Sequence, residues 1–407
     1  MSNREREHFH EFGEHTLLKH MILDKYLKAW ARKLLLWGRA GDQVWFVDAF
    51  AGEGYDRAMN PGSPVIAADI AKGVLVDLGP TDAGEAPMRV LAVERRSVAF
   101  ERLKESLAPF TDEKPQIAAA RKGTLHARLS KFMEYIGERP VLFFLDPCGV
   151  DGLVVEDLPE LLSGPHNEVF ALFSHVGAYR LHAALLTPDR DRDYEIRSVR
   201  DAPSLFRDLD NEKVEVIEAE VEVSNEALRR TRKGAERILT QALKAEALPE
   251  LAALPEGERL PALTKIFTRR LMEAGAKHVL SFPVRNERST RVYQLVHASK
   301  SRQGLRAMKE AMHAALNRSS LPEAARKAIS FDVSVEIGPV LNDIREHFHG
   351  STARWSQGNN REVDTVKRYL LEETPVFPNQ LEEIRSALKE AGTVVSRKPL
   401  VFSFEEI

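Results

Sequence analysis

Three places in the chain combine an apolar run, a carboxylate and a turn. The first is Val44-Trp45-Phe46-Val47-Asp48-Ala49-Phe50-Ala51-Gly52-Glu53-Gly54. An apolar run ending in a polar residue and Gly-x-Gly reads as a buried parallel strand entering a tight turn. Glycine there lets the backbone approach a ligand and take φ values that other residues avoid. The second is Met88–Glu94, where an acidic residue closing a strand can accept two hydrogen bonds from a ribose diol. The third is Val141-Leu142-Phe143-Phe144-Leu145-Asp146-Pro147-Cys148-Gly149. Asp146 can accept hydrogen bonds from a polar target. Cys148 is either a nucleophile or a small, half-buried residue of a turn. Gly123 and Thr124, after a weaker apolar stretch, join the set. Together these residues suit a nucleoside-type cofactor, or else an ordinary series of strands and loops. The fold must decide by bringing the strand ends to one edge.

The periodicity predicts how they are positioned. Leu17, Leu18, Met21, Ile22, Tyr26, Leu27, Trp30, Leu34 and Leu35 recur at helical spacing over 14–37. Strands are predicted at 44–48, 88–94, 116–120, 141–145 and 168–173, with helices at 65–76, 97–108, 125–136 and 156–163. Strand–helix alternation implies a parallel, doubly wound sheet. Residues 178–276 read as helical and charged. Then His278–Pro283 and Arg291–His297 flank the turn Asn286-Glu287-Arg288-Ser289, which predicts an antiparallel hairpin. Five parallel units closed by a hairpin are the arrangement of S-adenosylmethionine-dependent methyltransferases. The fold class expected is therefore α/β, Rossmann-like, with a helical insertion and a C-terminal winged-helix-like domain. The boundaries expected are 1–177 plus 277–318 for the α/β domain, 178–276 for the insertion and 319–407 for the last domain. That last region is predicted as helices at 335–347, 361–372 and 379–392, followed by short β segments around Arg397-Lys398-Pro399.

On this frame the cofactor expected is S-adenosylmethionine. Asp48, Ala49, Phe50, Ala51, Gly52 and Gly54 would hold its amino-acid or sulfonium part through backbone groups. Glu94 would take the ribose, and Gly123 and Thr124 would flank the adenine. Asp146, Pro147 and Cys148 would lie beside the transferred methyl. Two chemistries fit them. In amino-methyltransferases of nucleic acids, an Asp/Asn-Pro-Pro-aromatic loop takes the target amino group and stacks on the flipped base; here Cys148 and Gly149 stand for the last two residues. In cytosine-C5 enzymes a Pro-Cys pair supplies the nucleophile, as Pro147-Cys148 could. Asn167-Glu168-Val169 has the letters of the companion glutamate element in the wrong order and at a strand start.

Composition limits the partners. The 407 residues are 43% hydrophobic and 29% charged, with a formal net charge of -3. No global positive field draws the chain to nucleic acid or membrane, so any basic surface is local. Candidates for phosphate contact are Arg229, Arg230, Arg232 and Lys233, together with Arg385, Lys389, Arg397 and Lys398 around the last helix and hairpin. The single cysteine excludes an intramolecular disulfide and a multi-thiolate zinc site. His8, His10 and His15 lack a carboxylate or thiolate at helical spacing, and no metal is expected. Without an apolar run of membrane length or a signal-type opening, the expectation is a cytoplasmic protein with no membrane partner.

As a set, His15-Thr16, Tyr26-Leu27, Val47-Asp48-Ala49-Phe50-Ala51-Gly52-Glu53-Gly54, Gly62-Ser63-Pro64, Phe144-Leu145-Asp146-Pro147-Cys148-Gly149 and Tyr293-Gln294-Leu295-Val296-His297-Ala298-Ser299 resemble the three-Cys-motif partner proteins, over roughly residues 10–315. The resemblance implies a methyltransferase-like chain and an accompanying three-Cys-motif protein, itself similar to radical S-adenosylmethionine enzymes. At the position of Cys148 the family usually carries phenylalanine, which disfavours a nucleophilic cysteine and leaves Asp146 as the better candidate. Two functions follow: a methyltransferase acting on nucleic acid, with DNA favoured, or a non-catalytic nucleic-acid-binding partner that retains the fold.

Overall fold

A computed structural model describes residues 14–36, 43–112, 114–147, 149–186, 225–286, 289–316 and 331–332. In the C-terminal region it describes 340–341, 344–345, 347–348, 352–355, 366–367, 369–370, 374, 376, 380–390, 394–397 and 400–403. The strand β1 (Val44–Asp48) is buried at every position and lies between two parallel neighbours, β2 (Met88–Glu94) and β4 (Val141–Leu145). Outside β2 runs β3 (Ala118–Lys122), and outside β4 runs β5 (Glu168–Phe173), both parallel. The hairpin of β6 (His278–Asn286) and β7 (Ser289–Ser299) closes the sheet, with β7 antiparallel to β5. A two-residue strand, β8 (Phe331–Asp332), adds to β6. The order is β3-β2-β1-β4-β5-β7-β6-β8. Its first seven strands have the Rossmann-like methyltransferase topology.

Side-chain alternation divides the core into two layers. Phe46, Phe144 and Phe170 face one side in a row, with ring centroids 6.1 and 5.5 Å apart. That side is covered by α1 (Glu14–Leu36), α2 (Ser63–Leu78), α3 (Ser97–Thr111) and α10 (Arg302–Leu316). Trp45, Val47, Phe143 and Phe173 face the other. It is covered by α4 (Leu129–Ile136), the single turn α5 (Leu158–Leu161), α6 (His175–Leu186), α7 (Asn225–Leu243), α8 (Ala247–Ala253) and α9 (Glu256–Glu273). Helices on both faces explain why the central strands are apolar runs.

Some boundaries differ from the sequence reading for local reasons. The strand predicted at 116–120 starts two residues later, because Ile117 N–H is held by Phe110 O at the end of α3. The helices predicted at 125–136 and 156–163 open as 3-10 turns, His126–Arg128 and Val155–Asp157. Helix α6 begins directly after β5, ahead of the expected 178. In the C-terminal region α11 (Leu381–Glu390) precedes β10 (Val394–Arg397) and β11 (Leu400–Ser403). β11 also pairs with β9 (Thr352–Trp355), an antiparallel sheet of three strands. Much of the helices expected at 335–347 and 361–372 lies outside the described residues, as do Cys148 and Lys398.

Candidate cofactor site

Register builds the site. Asp48 is level with Ala92 of β2 and Phe144 of β4. Glu94 and Asp146 therefore overhang the end of β1 by two residues, one on each side. The crevice lies over carboxyl strand ends at the point where strand order reverses, the place where open α/β sheets bind ligands. A cavity of about 320 Å³ fills it, lined by Phe50, Glu94, Thr124, Asp146, Asp151 and Asp157 among others. That is the lower range of small-molecule sites.

The turn after β1 is shaped by its own carboxylate. Asp48 is fully buried and accepts from Phe50 N at 3.1 Å and Ser63 Oγ at 2.6 Å. Burial pushes its carboxyl up to about 7, against those two hydrogen bonds; nearby Asp146 adds to the rise. Asp48 shapes the turn and does not line the cavity, whereas Ala49 and Phe50 do. Ala51 N–H goes to Val93 O, and Gly52 N–H goes to Glu94 Oε2 at 3.0 Å. At Gly52, with φ +65°, a Cβ would meet open space. At Gly54, with φ +90°, it would sit 2.5 Å from Ser106 Cβ. Gly54 is thus required by helix α3.

Glu94 is buried beneath the cavity wall. Its second oxygen accepts from Arg96 N at 2.8 Å and Arg96 Nε at 3.0 Å. Beyond it, Thr124 Oγ1 accepts from Ala127 N–H, opening the 3-10 turn. Asp157, absent from the sequence reading, lines the same end and holds His126 Nδ1 at 2.7 Å; burial raises its carboxyl above the usual range. Asp151, also on the wall, pairs with Arg95 at 3.0 Å. At the opposite end Asp146 pairs with Lys19 of α1, 127 residues earlier in the chain. Neighbouring His20 is pushed down to about 4 by burial, Lys19 adding to the effect, and is neutral at pH 7. Lys19 gave no signal in the sequence, because one lysine on an amphipathic helix reads as solvated.

A second network lies at the amino edge of the parallel strands. Tyr26 OH donates to Glu168 Oε2, His297 Nε2 lies 2.9 Å from the same oxygen, and Ser299 Oγ donates to Glu168 Oε1 at 3.0 Å. All four side chains are buried. Burial, then Glu168, hold the Tyr26 hydroxyl well above its usual pKa. The glutamate of Asn167-Glu168-Val169 therefore belongs to the core.

The basic candidates are scattered. Arg229 and Arg230 fall within α7 at positions whose side chains are outside those described; Arg232 is half-buried there and Lys233 exposed. Arg385 pairs with Glu382 at 2.7 Å, Lys389 is exposed on α11, and Arg397 ends β10. Among the described residues no three His, Cys, Asp or Glu could hold a metal ion, and no helix is long and apolar enough to cross a membrane.

The chain matches no protein-family model and no curated protein sequence. Among solved structures it is similar to a precorrin-6y C5,15-methyltransferase from Geobacter metallireducens GS-15, with 10% identity over 68% of this chain and 87% of that one, TM-score 0.27. It is similar to PKMT2 from Rickettsia typhi in complex with AdoHcy, with 10% identity over 69% and 55%, TM-score 0.28. It is also similar to a geranyl diphosphate methyltransferase in complex with GPP and sinefungin, with 12% identity over 67% and 78%, TM-score 0.22.

Proposed function

We propose that the chain is an S-adenosylmethionine-dependent methyltransferase acting on nucleic acid, DNA in preference, alongside a three-Cys-motif protein similar to radical S-adenosylmethionine enzymes. The observation that carries the reading is the single cavity wall shared by Phe50, Glu94, Thr124 and Asp146 at the carboxyl edge of a methyltransferase-type sheet. The residues present suit the cofactor: a buried carboxylate for a diol, apolar walls for a base, and open space beside Gly52. S-adenosylmethionine supplies an electrophilic methyl group on a sulfonium. Glu94 would hold the ribose hydroxyls, Leu125, Leu153 and Val154 would flank the adenine, and Asp157 would accept from its amino group. Asp146 faces the target and accepts a hydrogen bond from the amino group to be methylated.

Calorimetric titration with S-adenosylmethionine and S-adenosylhomocysteine tests the first half. Micromolar binding is expected, weakened about tenfold or more in Glu94→Gln, which keeps the shape and removes a charged acceptor. Asp48→Ala is a poor control, since Asp48 shapes the turn itself. Transfer of labelled methyl to duplex DNA tests the second half. A second reading is favoured by the missing stacking aromatic, Cys148 and Gly149 standing where a proline and that aromatic would be: the chain is a non-catalytic nucleic-acid-binding partner that keeps the fold. Absence of cofactor binding, together with duplex binding unchanged in Asp146→Ala, would select it.

A further inference from the structure

Asp146 meets the cavity from β4, but the group that grips it comes from the other end of the chain. Lys19 Nζ binds Asp146 Oδ2, with side chains only 13% and 16% exposed. Among the described residues, Asp146 Oδ1 takes no side-chain donor. The lysine is mounted on a fixed support. Seven residues along α1, two helical turns and so on nearly the same face, Tyr26 is tied to Glu168 and lies 3.2 Å from His297 Nε2. Leu18, Ile22 and Leu23, all fully packed, hold the helix between these points.

The other charges nearby do not substitute for Lys19. His20 is neutral, Asp48 and Asp56 are acidic groups, and the remaining titratable groups on the cavity wall are Glu94, Arg95, Arg96, His126, Asp151 and Asp157. Arg95 and His126 are held by Asp151 and Asp157, and Arg96 follows β2, across β1 from Asp146. We infer that Lys19 is a positioning residue. It fixes one oxygen of Asp146, so that the other oxygen is presented to an amino group of the target. The inference rests on the methyltransferase reading and deepens it. A carboxylate that accepts hydrogen bonds and cannot donate them needs a target atom bearing N–H or O–H, and the amino group of the proposed function is the first of these.

The test uses the full-length protein with ¹³C-labelled aspartate, the Asp146 carboxyl signal being assigned with Asp146→Asn. In Lys19→Met that signal should change its chemical shift, because the ammonium no longer holds one oxygen, and Lys19→Arg should restore it. Affinity for S-adenosylhomocysteine should stay within about twofold, because Lys19 acts on the target side. With duplex DNA as acceptor, the kcat of Lys19→Met should fall at least about tenfold, and Lys19→Arg should recover most of it. An unmoved Asp146 signal, or a moved signal with unchanged kcat, overturns the inference. Failure of the native protein to bind S-adenosylhomocysteine overturns the methyltransferase reading instead, and is seen before any variant is compared. Cofactor binding without transfer to DNA, when RNA or protein accepts methyl, retains Lys19 only if the methylated atom is nitrogen or oxygen; methylation at carbon removes it.

Discussion

Gly52 and Gly54 stand two residues apart in one turn and should answer differently to the same substitution. Gly52→Ala meets only the left-handed backbone penalty, about 1 kcal/mol, since its Cβ would enter open space. Cofactor binding, read by calorimetry, should suffer more than stability does. Gly54→Ala adds a clash with Ser106 Cβ, and chemical denaturation should show a loss of roughly 3 kcal/mol or more. Asp48 makes a prediction in pH. Its folded carboxyl titrates near 7, above the ordinary aspartate value, so the folded state binds the proton more tightly than the unfolded chain. Stability from this group is full at low pH and is lost as pH rises from about 4 to about 7. Buried His20 and His175, both pushed down to about 4, act with the opposite sign below pH 6.5. Asp48→Asn keeps an acceptor for Phe50 N–H and removes only the first effect. Its advantage over the native protein should grow across that window, by on the order of a few kcal/mol, and level off above it. Melting temperatures of the two proteins across pH 4 to 8 check this.

Helix α1 shows how elements join what the sequence leaves apart. Tyr26→Phe keeps the ring in the core and removes the donor to Glu168, so a loss of roughly 1–3 kcal/mol is expected. Amide exchange should quicken along α1 before the central strands respond. The strands that position the site were legible: β1 and β4 are apolar runs ending in carboxylates, and β5, β6 and β7 carry their own turn signals. That reading placed Glu94, Thr124 and Asp146 on one wall before any fold was known. The sequence could not show Lys19 or Asp157, because each is defined by a partner far along the chain, Asp146 and His126. Period and composition are blind to such pairings. Strand β8 was missed because two residues are too short for alternation to register. Asp48 was read as a cofactor contact because an aspartate at a strand end looks the same whether it faces a ligand or its own turn; Ser63, fifteen residues on, decides.

At the scale of the molecule, Lys309 of α10 is the clearest tie to the C-terminal region. Its ammonium is fully buried and donates to Leu370 O at 3.0 Å and to Thr374 O. Lys309→Met leaves the Thr374 carbonyl short of a donor. Limited proteolysis should cut the region beyond 331 faster, while the α/β sheet melts within a few degrees of the native protein. The anchoring of α1 has a consequence for how the chain is made. Tyr26 leaves the ribosome well ahead of its partner His297, which follows 271 positions later. At about 5–20 residues per second, the helix waits roughly a quarter of a minute to a minute for the strand that secures it. Through that interval Leu18, Ile22, Leu27 and Trp30 have no finished sheet to cover, so a helix made long before its partner strand is locked late. Nascent chains halted before β7 should therefore engage holdase chaperones through α1, and those halted after it should not.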